Sequence, residues 1–142
     1  MKKVDRRRFK MPGIATYTKL YNECKRFALA RNLEFCLSKD QWKSLVSKNC
    51  IYCNAEPIPK SMYCNKENKA RRPDRTTEET IKRSWVNING IDRVNNNEGY
   101  ILNNCEACCT DCNMSKKGRT VSEFLSHVAR ISDFQFLKKE NT

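Results

Sequence analysis

The sequence predicts a small α+β fold stabilised by a bound metal. Three observations lead there: helical periodicity at both ends of the chain, an extended stretch broken by a turn between them, and nine cysteines gathered largely into CxxC pairs. The chain has 142 residues, room for one modest core. Hydrophobic residues make up 39% and charged residues 31%, so burial needs help from another source. The balance of 28 basic against 16 acidic residues is +12, which makes a polyanion, nucleic acid above all, the expected partner. No apolar run reaches the roughly 18 residues of a membrane span. The basic start MKKVDRRRFKMPG lacks the apolar stretch of a secretory signal. Membrane and exported classes are therefore excluded, and an intracellular, reducing compartment is expected.

Residues 1–13 read as a basic arm, either solvated or touching phosphates. Residues 14–134 read as the single domain and 135–142 as a tail. Tyr17, Leu20, Tyr21, Cys24, Phe27 and Ala28 recur at helical spacing, predicting a helix over 16–31 with Cys24 as core filling. Glu34–Leu37 reads as a short extended piece. Ser38 and Gln41 are spaced as a capping box and open a helix over 39–47 that buries Trp42, Leu45 and Val46. Residues 55–84, with Pro57, Pro59 and the stretch KENKARRPDR, lack steady periodicity and read as a basic surface insertion. It holds a brief helical signal, with Thr76 and Glu79 as a second box. SWVNINGIDRV favours an extended backbone, NNNEG a turn, and Tyr100–Leu102 a returning strand, so an antiparallel hairpin is expected. Thr120 and Glu123 form a third box and open a helix to about Ile131, with Val121, Phe124, Leu125, Val128 and Ile131 inward.

An odd number of cysteines without an export signal argues against a disulfide framework and for metal binding. A CxxC turn presents two thiolates to one ion, and two such turns close a tetrahedral zinc site. Cys50 and Cys53 supply one pair. On spacing alone Cys105/Cys108 and Cys109/Cys112 compete for the second. The later pair is preferred because Asn113 and the residues after it continue a motif. A closed four-thiolate site is structural, since it leaves no position for a reactant.

The order CIYC, NGIDRVNNNEGYILNN, CCTDCNMSKKGRTVSEFL resembles the HNH endonucleases of bacteriophages and large DNA viruses. These are the ββα-metal, or His-Me finger, nucleases. The likeness runs from about Ala28 to Ile131 and takes in ARNLEFCLSKDQWKSLVSKNCIYCNAEP. It implies a ββα-metal core with a four-cysteine zinc knuckle pair and one divalent ion beside the scissile phosphate of DNA. It also implies a place in the host cytoplasm, or wherever the viral or phage DNA lies. By that resemblance Asp92 and Asn113 hold the ion, magnesium or manganese, as hard oxygen donors. Asn104 orders the loop before the second knuckle, and Lys116 neutralises a phosphate.

The sequence departs from the family at one point. The family's base is a histidine after the aspartate, and Arg93 stands there. An arginine stays charged and cannot take a proton from water, but it can clamp a phosphoryl group. The one histidine, His127, reads as a surface residue of the last helix. Asp92 beside Arg93 also reads as an ion pair, and Asn104 and Asn113 as turn or cap formers. Arg71, Arg72 and Arg75 read either as a solvated loop or as DNA contacts, and Lys116, Lys117 and Arg119 as phosphate contacts. A metal-dependent DNA endonuclease is the expected function, as a monomer or homodimer. The alternative is a zinc-stabilised DNA-binding module left idle by Arg93.

Overall fold

The computed structural model describes residues 12–65 and 69–140. The basic arm up to residue 11 and part of KENKARRPDR lie outside the described residues. The first helix, α1 (Ile14–Ala30), begins at Gly13, whose φ of 78° suits glycine. A Cβ there would lie 2.3 Å from Cγ1 of Val86, so the helix start is also a tight seat. Gly13 donates its N–H to the Arg83 carbonyl at 2.8 Å. The buried Thr16 hydroxyl donates to the Ser84 carbonyl at 2.6 Å.

The capping box expected at Ser38 and Gln41 is present and opens α2 (Lys39–Val46), which buries Trp42, Leu45 and Val46. Tyr17 and Tyr21 of α1 meet the Trp42 ring edge-on, with centroids 6.5 and 5.9 Å away. Around them Leu37, Val86, Ile88, Ile91, Tyr100 and Cys105 complete the core, with Cys24 packed against it. Trimming Trp42 to alanine would cost about 3–5 kcal/mol.

The described residues of the stretch 55–84 hold more regular structure than its composition suggests. It contributes β1 (Ile58–Lys60), paired antiparallel to β2 (Val86–Ile88), and the short helix α3 (Glu78–Lys82). The cap of α3 is Thr77, which receives the Thr80 N–H, one residue later than the spacing of Thr76 and Glu79 implies.

The hairpin exists, but its second strand is not Tyr100–Leu102. Strand β3 (Gly90–Arg93) pairs antiparallel with β4 (Cys105–Cys108), aligning Gly90 with Cys108 and Arg93 with Cys105. Tyr100 instead bridges Phe35, and Leu102–Asn104 forms a 3-10 turn. The reason is local. Gly99 passes so close to Glu34 that a Cβ would fall 2.4 Å from its carbonyl oxygen, and this close approach ties 99–100 to the core.

After β4 come α4 (Thr110–Lys116) and α5 (Val121–Glu140). The third capping box closes as expected, with Glu123 accepting from the Thr120 N–H at 2.8 Å. The helix then runs nine residues past Ile131, into the segment read as a tail. Its apolar face is not inward beyond the start: Phe124 is 3% exposed, but Leu125, Val128 and Ile131 are 47, 45 and 49% exposed. Phe124, in the first turns of α5, is the residue of this helix that is buried in the domain among the described residues. The result is an α+β fold in which β3, β4 and α4 form a ββα unit. No helix among the described residues is long and apolar enough to cross a membrane.

Candidate active site and metal centre

The hairpin register decides between the competing cysteine pairs. Cys105 and Cys108 are strand residues, buried at 3% and 0% exposure. The Cys109 sulfur lies at the start of α4, where it accepts the Cys112 N–H. The ligand sulfurs of Cys50, Cys53, Cys109 and Cys112 all lie within 4.8 Å of one another. A tetrahedron with zinc–sulfur bonds of about 2.3 Å has edges of about 3.8 Å, and the Cys53–Cys109 separation is 3.6 Å. The donor set fits zinc. Burial works to raise the Cys50 thiol, yet the N–H groups of Cys109, Cys53 and Tyr52 aimed at it prevail and bring it down to about 6. Burial pushes the Cys109 and Cys112 thiols up. The raised thiols must give up their protons when a cation binds.

Next to this centre, the ββα unit carries a cavity of about 330 Å³. Its lining includes Asp92 and Arg93 from β3, Asn113 from α4, Lys117 just past its end, and Arg31 at the C-terminus of α1. Four of the residues singled out from the sequence therefore share one wall. Asp92 is buried (4% exposed), and its carboxylate is held from behind. Tyr52 donates to Oδ2 at 2.6 Å, and the Lys116 ammonium lies 3.2 Å from each oxygen. Burial and the Asp92 carboxylate together push the Tyr52 phenol well above its ordinary range, so Tyr52 is a donor and not a base. Its ring stands edge-on to Phe124 with centroids 5.3 Å apart, which links α5 to this carboxylate.

Lys116, expected at a phosphate, is 0% exposed. Its ammonium serves Asp92 and the Arg93 carbonyl, the latter at 3.2 Å. The i+3 position after Asn113 turns it inward against β3, away from solvent. Lys117 does line the cavity, with φ 50° and ψ −124° at the end of α4. That backbone is strained for a residue with a Cβ, and such strain gathers at functional sites.

Arg93 is fixed by donating Nη1 hydrogens to the Asn96 and Glu98 carbonyls at 2.9 and 2.6 Å. Asn104 sits behind the cavity at 4% exposure. Its side chain donates to the Asn95 and Gly99 carbonyls and accepts from the Asn95 N–H. It holds the whole 95–99 turn in place. Arg119 lies outside this lining, bonded to the Ser115 carbonyl at 2.7 Å. Arg71, Arg72 and Arg75 line a second cavity of about 470 Å³ with Lys19 and Tyr63. His127 contacts Arg130 on α5 and lines neither cavity.

Sequence reasoning misses Tyr52, Arg31 and Tyr100. Tyr52 stands inside CIYC, where any residue suits the zinc turn, so nothing in the spacing marks it. Arg31 is 61 positions from Asp92, and only the packing of α1 on the core brings it to the cavity.

No protein-family model matches the chain. The chain is 33% identical over 114 residues to an uncharacterized protein of Acanthamoeba polyphaga mimivirus. The match covers 80% of this chain and 16% of that relative, so the chain spans a small part of the relative's length. Among solved structures, the rare-cutting HNH restriction endonuclease PacI aligns with a TM-score of 0.52 at 16% identity. The alignment covers 87% of this chain and 81% of PacI. The chain therefore has the fold of an HNH nuclease, with four cysteines placed to bind a metal, and a viral relative.

Proposed function

We propose that the chain is a metal-dependent DNA endonuclease of the HNH type, hydrolysing phosphodiester bonds. In this reading Cys50, Cys53, Cys109 and Cys112 hold a structural zinc, and Asp92 and Asn113 hold one magnesium or manganese ion. One observation carries it: a single cavity joins Asp92 and Asn113, two oxygen donors, to the cations Arg93, Lys117 and Arg31. PacI, whose fold this is, is a restriction endonuclease. The compartment must be reducing to keep the four thiols as ligands.

The donor set suits a hard ion shared with substrate. Tyr52 and Lys116 between them occupy three of the roughly four acceptor positions of the Asp92 carboxylate, leaving one on Oδ1. A magnesium-type ion commonly takes one or two carboxylates and completes its shell with waters and phosphate oxygens. Held by Asp92 and Asn113, such an ion would supply Lewis-acid chemistry toward the phosphoryl group and lower the pKa of bound water.

The chain's own residues do the remainder. Tyr52 and Lys116 fix the direction of Asp92. Arg93, held on two carbonyls, meets charge developing on the phosphoryl oxygens and takes no proton. Lys117 adds a second positive charge at the rim. Asn104 keeps the turn that anchors Arg93 from moving. In a separate cavity, Arg71, Arg72 and Arg75 supply further positive charge that suits duplex phosphates.

A specific observation favours a second reading. Both Asp92 oxygens already have a partner in Lys116, and Arg93 replaces a base, which is what an idle DNA-binding module would show. Incubating a labelled duplex with the zinc-loaded protein separates the two. Cleavage that needs Mg²⁺ or Mn²⁺ and stops in EDTA supports the nuclease, whereas tight, salt-sensitive binding without cleavage supports the idle module.

A further inference from the structure

Arg31 has no place in the metal or zinc machinery, yet its side chain is as firmly positioned as that of Arg93. Its Nη2 donates to the Tyr100 hydroxyl at 2.9 Å, and its Nε donates to the Phe27 carbonyl at 3.1 Å. Arg93 stands over the face of the same ring, its Cζ 5.6 Å from the centroid. Tyr100 is itself buried at 8% exposure and packs on Phe35, with centroids 5.6 Å apart. One core-anchored tyrosine thus holds two guanidinium groups, one at its hydroxyl and one on its face.

Both arginines line the cavity of Asp92 and Asn113. Neither has a carboxylate partner among the described residues. Of its five N–H donors each spends two on fixing itself, which leaves three apiece. The Asp92 charge is answered from behind by Lys116. What faces the cavity is therefore a net positive wall of two pre-set forks, the geometry that phosphate oxygens accept in pairs.

We infer that Arg31 and Arg93, set by Tyr100, form a two-arginine clamp on a backbone phosphate of the bound DNA, and that α1 supplies a substrate-binding residue to the site. The inference rests on the nuclease reading for its consequence in catalysis, but not for its consequence in binding. A pre-set fork adds affinity in the ground state and more as charge builds on the phosphoryl group.

The test compares Arg31→Ala, Arg31→Lys and Tyr100→Phe with Arg26→Ala, an exposed arginine of α1 outside the cavity. Duplex affinity is measured against salt in EDTA, and plasmid nicking in Mn²⁺. Arg31→Ala should lower the log–log salt slope by about 0.9 and cut the nicking rate by about 10²-fold. Arg31→Lys should keep the slope but nick about tenfold more slowly, since it retains charge without the fork. Tyr100→Phe should fall between wild type and Arg31→Ala, and Arg26→Ala should match wild type. An Arg31→Ala protein with unchanged slope overturns the clamp, as does one that loses no more than Arg26→Ala. Should wild type bind without nicking under any metal, the nuclease reading fails on its own, and the salt slope still decides the clamp.

Discussion

Truncating either member of the Asp92–Lys116 pair should unfold the protein more readily than any loss of a surface charge. The ammonium is 0% exposed and the carboxylate side chain 5%, and the two are 3.2 Å apart. Removing one leaves the other as a buried charge without its partner, which costs about 3–5 kcal/mol. Domains of this size have only about 5–15 kcal/mol in total. At about 3 °C per kcal/mol, Asp92→Ala or Lys116→Met should melt about 10–15 °C below wild type. The double variant Asp92→Ala/Lys116→Met removes both charges and should recover to within about 2 kcal/mol of wild type, a large favourable coupling. Urea unfolding of the zinc-loaded proteins, followed by circular dichroism and tryptophan fluorescence, measures all four corners of the cycle. Single variants within about 1 kcal/mol of wild type, with no coupling, would show that the buried pair carries no such weight. Asp92→Ala therefore confounds activity with folding. Asp92→Asn, which keeps an oxygen for the Lys116 ammonium, and the exposed Asn113→Ala are the informative variants for cleavage.

Tyr52→Phe keeps the ring on Phe124 but removes the 2.6 Å bond to Asp92. A hydrogen bond to a charged group is worth about 1.5–3 kcal/mol, so its Tm should drop by several degrees, and an unchanged Tm would deny that bond a role. Zinc affinity should fall as pH falls, because the Cys109 and Cys112 thiols are pushed up by burial and must lose protons to bind. Titration between pH 6 and 8 should give a slope of at least about two in log affinity per pH unit, one for each of these two protons, and a slope under one would contradict it. Cys109→Ser should lose tight zinc binding and much of the fold, whereas Cys105→Ser should keep its zinc. Arg72→Ala and Arg75→Ala should each lower the salt slope of DNA binding by about 0.9. Their melting curves should not change, as the Arg75–Asp74 pair is exposed.

Much of the fold is legible in the sequence because it is written in local chemistry. The caps at Ser38 and Thr120 act within three residues, and Trp42, Leu45 and Val46 mark their helix by spacing alone. The preference for Cys109/Cys112 over Cys105/Cys108 rests on the motif that follows, and the structure supplies the physical reason: strand residues at i and i+3 face opposite sides, so Cys105 and Cys108 cannot both reach one ion with Cys50, whereas the Cys109 and Cys112 sulfurs do lie beside it. Long-range decisions are not legible in the same way. Tyr100 has strand chemistry but is captured by Phe35 and the close pass of Gly99 over Glu34, so the returning strand lies further along at Cys105–Cys108. Lys116 reads as a surface lysine until α4 is laid on β3 and its ammonium meets Asp92. The apolar stripe of α5 implies burial, yet periodicity says nothing of whether a partner element exists to cover Leu125, Val128 and Ile131.

The nuclease reading stands on Asp92 and Asn113, with the cations around them, cutting DNA in the presence of a divalent ion. The decisive experiment incubates supercoiled plasmid with zinc-loaded protein in Mg²⁺, Mn²⁺ or EDTA, beside Asp92→Asn and Asn113→Ala. Nicked or linear product should form only with the ion, and should fall at least about 10²-fold in both variants. Asn113→Ala should melt near wild type, and Asp92→Asn should remain folded at the assay temperature. Plasmid left intact under every metal despite tight binding, or cut equally well by both variants, would contradict the nuclease reading.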